Sequence, residues 1–249
     1  MSAPERRAKE VRRRRRAGAV AAATAMTLAT PGLPDAAAAT FSAALVRDVN
    51  TTEDGSRPGY LTAVGGTVFF AAFDAEHGTE LWKTDGTAAG TVLVKDIEPG
   101  IEDSSPRQLT NVNGTLFFTA RTDAGGRELW KSDGTAAGTG QVKDIGAGTT
   151  QGYLGDLTNG GGTLYFSAVD ATHGSELWKS DGTEAGTAMV KDIVAGTSDS
   201  GPRYFAAVGS TVFFSAYSGS GRELYKTDGT AAGTLLVKDI WPAAVPSVL

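Results

Sequence analysis

One motif, Glu-Leu-Trp-Lys-(Thr/Ser)-Asp-Gly-Thr, returns four times in this chain and limits its fold more than any other feature. The copies open at Glu80, Glu128, Glu176 and Glu223, at steps of 48, 48 and 47 residues, and the fourth carries Tyr225 in place of Trp. A fixed period of this length marks a repeat architecture, in which one supersecondary unit cannot bury its apolar face alone and stacks on its neighbours.

Residues 58–97 serve as the model unit. Tyr60 to Val64 is a short β-prone run that ends at Gly65-Gly66, matched by Asn113-Gly114, Gly161-Gly162 and Gly209-Ser210. Such pairs supply the positive φ angles of a two-residue hairpin. Thr67 to Phe73 is a second strand centred on Phe69-Phe70, and Glu80 to Lys83 a third around Leu81-Trp82. The Asp85-Gly86-Thr87 turn follows, and Val92 to Ile97 closes the unit. Successive strand side chains point to opposite faces, so Phe69 and Phe70 require apolar cover on both sides of the sheet. Four-stranded sheets stacked around an axis provide it, and four strands in about 40 to 50 residues is the size of a β-propeller blade. The expected fold is an all-β, propeller-like array of four four-stranded blades, about 50–97, 98–145, 146–193 and 194–240. A β-solenoid is the competitor, although the hairpin pairs favour antiparallel neighbours. The fourth strand, with Lys95 and Asp96, reads as an outer, wetter strand.

These residues resemble the bacterial ELWxxDGT repeat family, through ELWKTDGT, ELWKSDGT (twice) and ELYKTDGT across roughly residues 45 to 240. The resemblance implies a secreted or surface protein of tandem propeller-like blades, and it implies no enzymatic activity. The turn at Ser132-Asp133-Gly134-Thr135 is also similar to the Asp-box turn of other propellers.

The number of strands is uneven. Leu45-Val46-Arg47-Asp48-Val49 matches Leu93 to Ile97, which adds an extra N-terminal strand ahead of the first complete unit. Trp241-Pro242 echoes Glu98-Pro99, where another blade begins. Three readings follow: a closed four-bladed ring with a frayed strand, an open arc, or a piece of a longer array. An open arc bares two apolar faces, lined by residues such as Phe69 and Phe213, and open blade ends allow a homodimer.

The N-terminus has the order of a secretory signal peptide. Arg6, Arg7, Lys9 and Arg12 to Arg16 precede an uncharged run from Ala17 to Thr30, and Ala37-Ala38-Ala39 supplies small residues. The run is shorter than the roughly 20 residues of a membrane span. Residues 1–39 are therefore expected to direct export, by the general or the twin-arginine route, to the cell surface or beyond. A basic arm for nucleic acid is the alternative. That segment holds 8 of the 23 basic and 3 of the 28 acidic residues, so the remainder has 15 basic and 25 acidic groups, a net charge near −10. Such a surface repels phosphate backbones, and no nucleic-acid partner is expected. There is no cysteine, which excludes disulfides, zinc-thiolate sites and cysteine nucleophiles.

Candidate chemistry is sparse. His77 and His173 are the only histidines, and equivalent loops hold Gly125 or are shortened near Ser220, so both read as loop residues. Asp85, Asp133, Asp181 and Asp228 offer either calcium ligands or side-chain caps of their own turns. One carboxylate per turn favours the cap. Glu80, Glu128, Glu176 and Glu223 recur identically and so serve what every blade shares. Chemistry would depend on residues that break the pattern, and Gly160 and Gln141 do so without offering any. Serine-nucleophile, phosphate-loop and dinucleotide motifs are absent. No catalytic, cofactor or metal residue is assigned. The expected function is a non-enzymatic interaction or structural module with a protein or glycan ligand. The alternative is a propeller hydrolase or lyase of extracellular polysaccharide, which needs an asymmetric cluster of acidic, Tyr or His residues.

Overall fold

The computed structural model describes residues 44–51, 55–146, 153–219 and 221–240. Residues 49–249 form one compact unit, and of residues 1–48 only 44–48 are described. The export segment, Ser220 and Trp241-Pro242 lie outside the described residues.

The described residues hold sixteen strands in four antiparallel sheets and no helix. Blade 1 is β1 (Gly59–Val64), β2 (Thr67–Asp74), β3 (Gly78–Thr84) and β4 (Val92–Lys95). Blade 2 is β5 (Arg107–Val112), β6 (Thr115–Thr122), β7 (Gly126–Ser132) and β8 (Gly140–Lys143). Blade 3 is β9 (Leu154–Gly160), β10 (Thr163–Asp170), β11 (Gly174–Ser180) and β12 (Ala188–Lys191). Blade 4 is β13 (Arg203–Val208), β14 (Thr211–Tyr217), β15 (Arg222–Thr227) and β16 (Leu235–Lys238). Each sheet is a meander in chain order. First strands lie side by side, β1 by β5, β5 by β9 and β9 by β13. This is a β-propeller-like array.

Adjacent aromatic residues do face opposite ways. Phe69, Leu81, Val94 and Ile97 form the front of blade 1 and pack on Leu109, Leu116, Phe118, Ala120 and Trp130, the back of blade 2. Phe70 and Trp82 belong to a separate cluster on the back of blade 1. The front of blade 2 meets Leu164, Phe166 and Trp178 in the same way, and the front of blade 3 meets Val212, Phe214 and Tyr225. Three seams of one construction hold the array together, each burying several large side chains at roughly 25 cal/mol per Å2 of apolar surface.

Lysines tie each seam. Lys83 Nζ donates to Gly134 O at 2.8 Å, Lys131 to Gly182 O at 2.7 Å and Lys179 to Gly229 O at 2.9 Å. Lys95 donates to Thr139 O at 2.8 Å, Lys143 to Thr187 O at 2.9 Å and Lys191 to Thr234 O at 2.8 Å. Lys95 also sits 6.0 Å from the Trp130 ring centre. The lysine of the fourth strand is thus a seam residue, not the mark of a wet outer edge. Its aliphatic stem covers apolar surface while the ammonium reaches a carbonyl next door.

Two further expectations need correction. Leu45 to Val49 forms no strand: residues 44–48 carry none, and Leu45 and Val46 are exposed. A fourth strand is held by a third, and among the described residues no third strand precedes it. Val49 instead packs beside Phe70, Ala72 and Trp82. Phe69 is buried inside the first seam rather than bared at an end. The bare surface is the front of blade 4. Leu224 is 37% exposed where Leu81, Leu129 and Leu177 are 0%, and Val237 is 44% exposed where Val94, Val142 and Val190 are at most 7%.

Candidate functional site

The recurring residues build the scaffold. In each turn the aspartate accepts from the backbone two residues on. Thr135 N donates to Asp133 Oδ1 at 2.8 Å, Thr135 Oγ1 donates to the same oxygen at 2.8 Å, and Gly138 N donates to Thr135 Oγ1 at 2.9 Å. The other three turns repeat this set. These bonds hold the four carboxyls below their usual range. Any side chain at Gly138 would collide with the Asp133 carboxylate, which fixes the second glycine of the motif.

The repeated glutamates clamp the link from one blade to the next. Glu80 is fully buried and accepts from Ile97 N at 3.0 Å, Ser104 N at 3.0 Å and Ser104 Oγ at 2.6 Å. Glu176 does the same with Ile193 and Ser200, and Glu128 accepts from Ile145 N and Gly146 N. Burial outweighs these donors and pushes the Glu80 carboxyl up to about 7, with Glu128 and Glu176 raised likewise.

His77 and His173 close the loop between second and third strands by pairing Nδ1 with Asp74 Oδ2 at 2.9 Å and Asp170 Oδ2 at 2.8 Å. The partner hydrogen bond raises both imidazoles. The Asp–His pair is local to its loop, and among the described residues no group of three His, Asp or Glu gathers for a metal.

The feature that departs from the repeat lies on the first strands. Each carries a bulge: Gly59 pairs with Ala71 and Thr62 with Phe69, so three steps oppose two, and the same slip occurs in the other blades. The residue inside the bulge is left-handed in all four: Tyr60 (φ 56), Gln108 (φ 55), Asp156 (φ 60) and Tyr204 (φ 58). Glycine is the ordinary occupant of such a position. Bulky residues there cost on the order of 1–3 kcal/mol and concentrate at functional sites. The bulge repeats in every blade, but its occupant does not: blades 1 and 4 carry tyrosine there, blade 2 glutamine and blade 3 aspartate.

One of them reaches the next blade. Gln108 Oε1 accepts from Leu157 N at 3.1 Å, across the second seam. Tyr153 Oη donates to Asp156 Oδ2 at 3.4 Å, and burial together with Asp156 raises the Tyr153 hydroxyl, against the nearby Arg203 cation. Tyr204 is 78% exposed, and Tyr60 and Tyr153 are about half exposed. The result is a row of outward tyrosines interleaved with an amide, a carboxylate and a guanidinium. A separate cleft of about 160 Å3 near Asn113, Lys131 and Asp181 is too small for a typical organic ligand.

Sequence reasoning passed over this row. The signal was present in the aligned starts Pro58-Gly-Tyr60, Pro106-Arg-Gln108, Leu154-Gly-Asp156 and Pro202-Arg-Tyr204, where the third position changes in chemical type ahead of a constant apolar residue, Leu61, Leu109, Leu157 or Phe205. What hides it is conformational, since nothing in those letters announces a left-handed bulge.

No family model matches the chain, and no curated protein matches it. Solved structures similar to it include a β-propeller domain. The β-propeller domain of the Trilobed protease from Pyrococcus furiosus, of open velcro topology, matches at 10% identity and a TM-score of 0.48, over 74% of this chain and 55% of that one. A putative TolB from Agrobacterium tumefaciens matches at 11% and 0.45, over 70% and 62%. A puromycin hydrolase matches at 18% and 0.44, over 73% and 29%. This chain spans less than two thirds of each. With each of these scores below 0.5, the fold rests on the sheet topology itself.

Proposed function

We propose that the chain is a non-enzymatic, exported interaction module of the ELWxxDGT-repeat kind, which binds polysaccharide along the bulge row of its first strands. The observation that carries this reading is the left-handed set Tyr60, Gln108, Asp156 and Tyr204, which places three polar or aromatic residue types at one repeated bulge, both tyrosines exposed. Exposed tyrosines offer flat apolar faces for sugar rings, and the amide, carboxylate and Arg203 offer hydrogen-bond partners for hydroxyls. Export is supported by the residue order of positions 1–39.

The hydrolase reading draws on the same row, because Tyr153 and Asp156 form an asymmetric pair. That pair supplies one carboxylate, whereas glycoside hydrolysis by two carboxylates needs a second across the sugar.

Affinity electrophoresis through gels cast with neutral and acidic polysaccharides tests both. The expected result is retardation by at least one polysaccharide, weakened about tenfold by Tyr204→Ala and by Asp156→Ala, with no new reducing ends or unsaturated products. Retardation that ignores both substitutions, or none at all, overturns the binding site. Turnover abolished by Asp156→Asn replaces it with the enzyme.

A further inference from the structure

We propose that the bare front of blade 4 is a docking surface for blade 1 of a second copy of this chain, so that copies join head to tail through a fourth seam built like the three internal ones. This goes beyond the ligand row and does not depend on it.

The front of blade 4 carries the seam residues without a seam. Phe213, Leu224, Val237 and Ile240 stand at the positions of Phe69, Leu81, Val94 and Ile97, each of which lies against the back of the next blade. Ile240 is 66% exposed where Ile97 is 6%. The polar half is unmet as well. Lys226 and Lys238 make no cross-blade bond among the described residues, although every equivalent lysine does.

The complementary half lies on blade 1. Leu61 is 67% exposed where Leu109 is 9%, and Val68 is half-buried where Leu116, Leu164 and Val212 are fully buried. Gly86 is exposed, while Gly134, Gly182 and Gly229 are buried and accept the incoming lysine. A second copy would bring Lys226 to Gly86 O and Leu224 and Val208 onto Leu61 and Val68. Val49 holds on Phe70, Ala72 and Trp82 the place that Ile97 holds on Phe118, Ala120 and Trp130, so a complete fourth seam exchanges Val49 for Ile240. Front-to-front pairing of two fourth blades is the poorer fit. It opposes Lys226 and Lys238 to their own copies and offers neither front a back to receive.

Sedimentation velocity on the full chain from about 1 to about 100 µM tests the proposal, over a range where moderate affinities show as a concentration-dependent shift. Association is expected, and Leu224→Arg and Leu61→Arg should each raise its midpoint concentration at least tenfold. Both positions are exposed, and circular dichroism confirms that the variants fold. An equimolar mixture of the two variants should associate again and stop at a pair, because one retains an intact blade 1 and the other an intact blade 4. A chain that stays monomeric throughout overturns the proposal. So does association that Leu61→Arg leaves untouched, which is the front-to-front outcome.

Discussion

The seam between blades 2 and 3 and the front of blade 4 are written in nearly the same residues and stand in opposite states. Leu129 and Leu224 both follow the motif glutamate and both pair in register with their second strand, at Thr119 and Ser215. One is inaccessible to water and the other is more than a third exposed. Repeat sequence therefore specifies what a face is made to meet, and the neighbour decides whether it is buried. The energetic worth of a motif residue should differ between copies by whatever its neighbour contributes.

The largest expected effect breaks this comparison directly. Leu129→Ala removes a fully buried side chain from a closed seam and should cost about 2–5 kcal/mol. Leu224→Ala at the open front should cost less than about 1 kcal/mol when measured on dilute protein. Urea unfolding of the two variants beside the parent checks both. Equal losses would mean that the fourth face is covered in solution even at low concentration.

Next in size is a pH effect placed behind the closed seams. Burial raises the carboxyl of Glu80 to about 7, above an unfolded value near 4.5. Between those values the folded chain holds the extra proton, so stability falls as pH rises through that window, by an order of 3 kcal/mol for Glu80. Glu128 and Glu176 are shifted the same way. His77 and His173, raised by their aspartates, contribute fully below 6.5 and lose that contribution as pH rises past their folded values. Melting temperature should thus be lower at pH 8 than at pH 5, and Glu80→Gln should flatten the profile. A melting temperature that climbs over this interval would contradict the assignment.

The same contrast explains what could be read from the letters. Blade size, strand order, hairpin pairs and the opposed faces of Phe69 and Phe70 follow from local pattern, because each is settled within one repeat. The roles of Lys83 and Lys95 were not legible, since their acceptors Gly134 and Thr139 lie a full repeat away and are backbone atoms without a residue signature. The bulge row escaped for a related reason: its common property is a backbone angle. The capping role of the turn aspartates was legible, because donor and acceptor are two residues apart.

Those turns give the third effect. Asp133→Asn keeps the shape of the side chain but weakens its acceptance from Thr135, and should lower the melting temperature by less than Leu129→Ala does. Millimolar calcium should leave the parent's melting temperature unchanged. A calcium-dependent rise that Asp133→Asn abolishes would make the turn a cation site.

The smallest effect is also the one that separates a seam from a docking surface. Lys131 ties blade 2 to the Gly182 carbonyl of blade 3, and Lys131→Ala should cost about 1 kcal/mol, the net worth of a partly exposed hydrogen bond plus some stem packing. Lys226 occupies the same position on the open front. In a lone chain its ammonium is solvated, so Lys226→Ala should leave unfolding within about 0.5 kcal/mol of the parent. If a second copy supplies Gly86 O, the loss moves from stability to assembly, and the sedimentation midpoint should rise while the dilute melt stays put. Should Lys226→Ala and Lys131→Ala instead destabilise dilute protein equally, the fourth front already has an acceptor within its own chain, and the array is a closed ring.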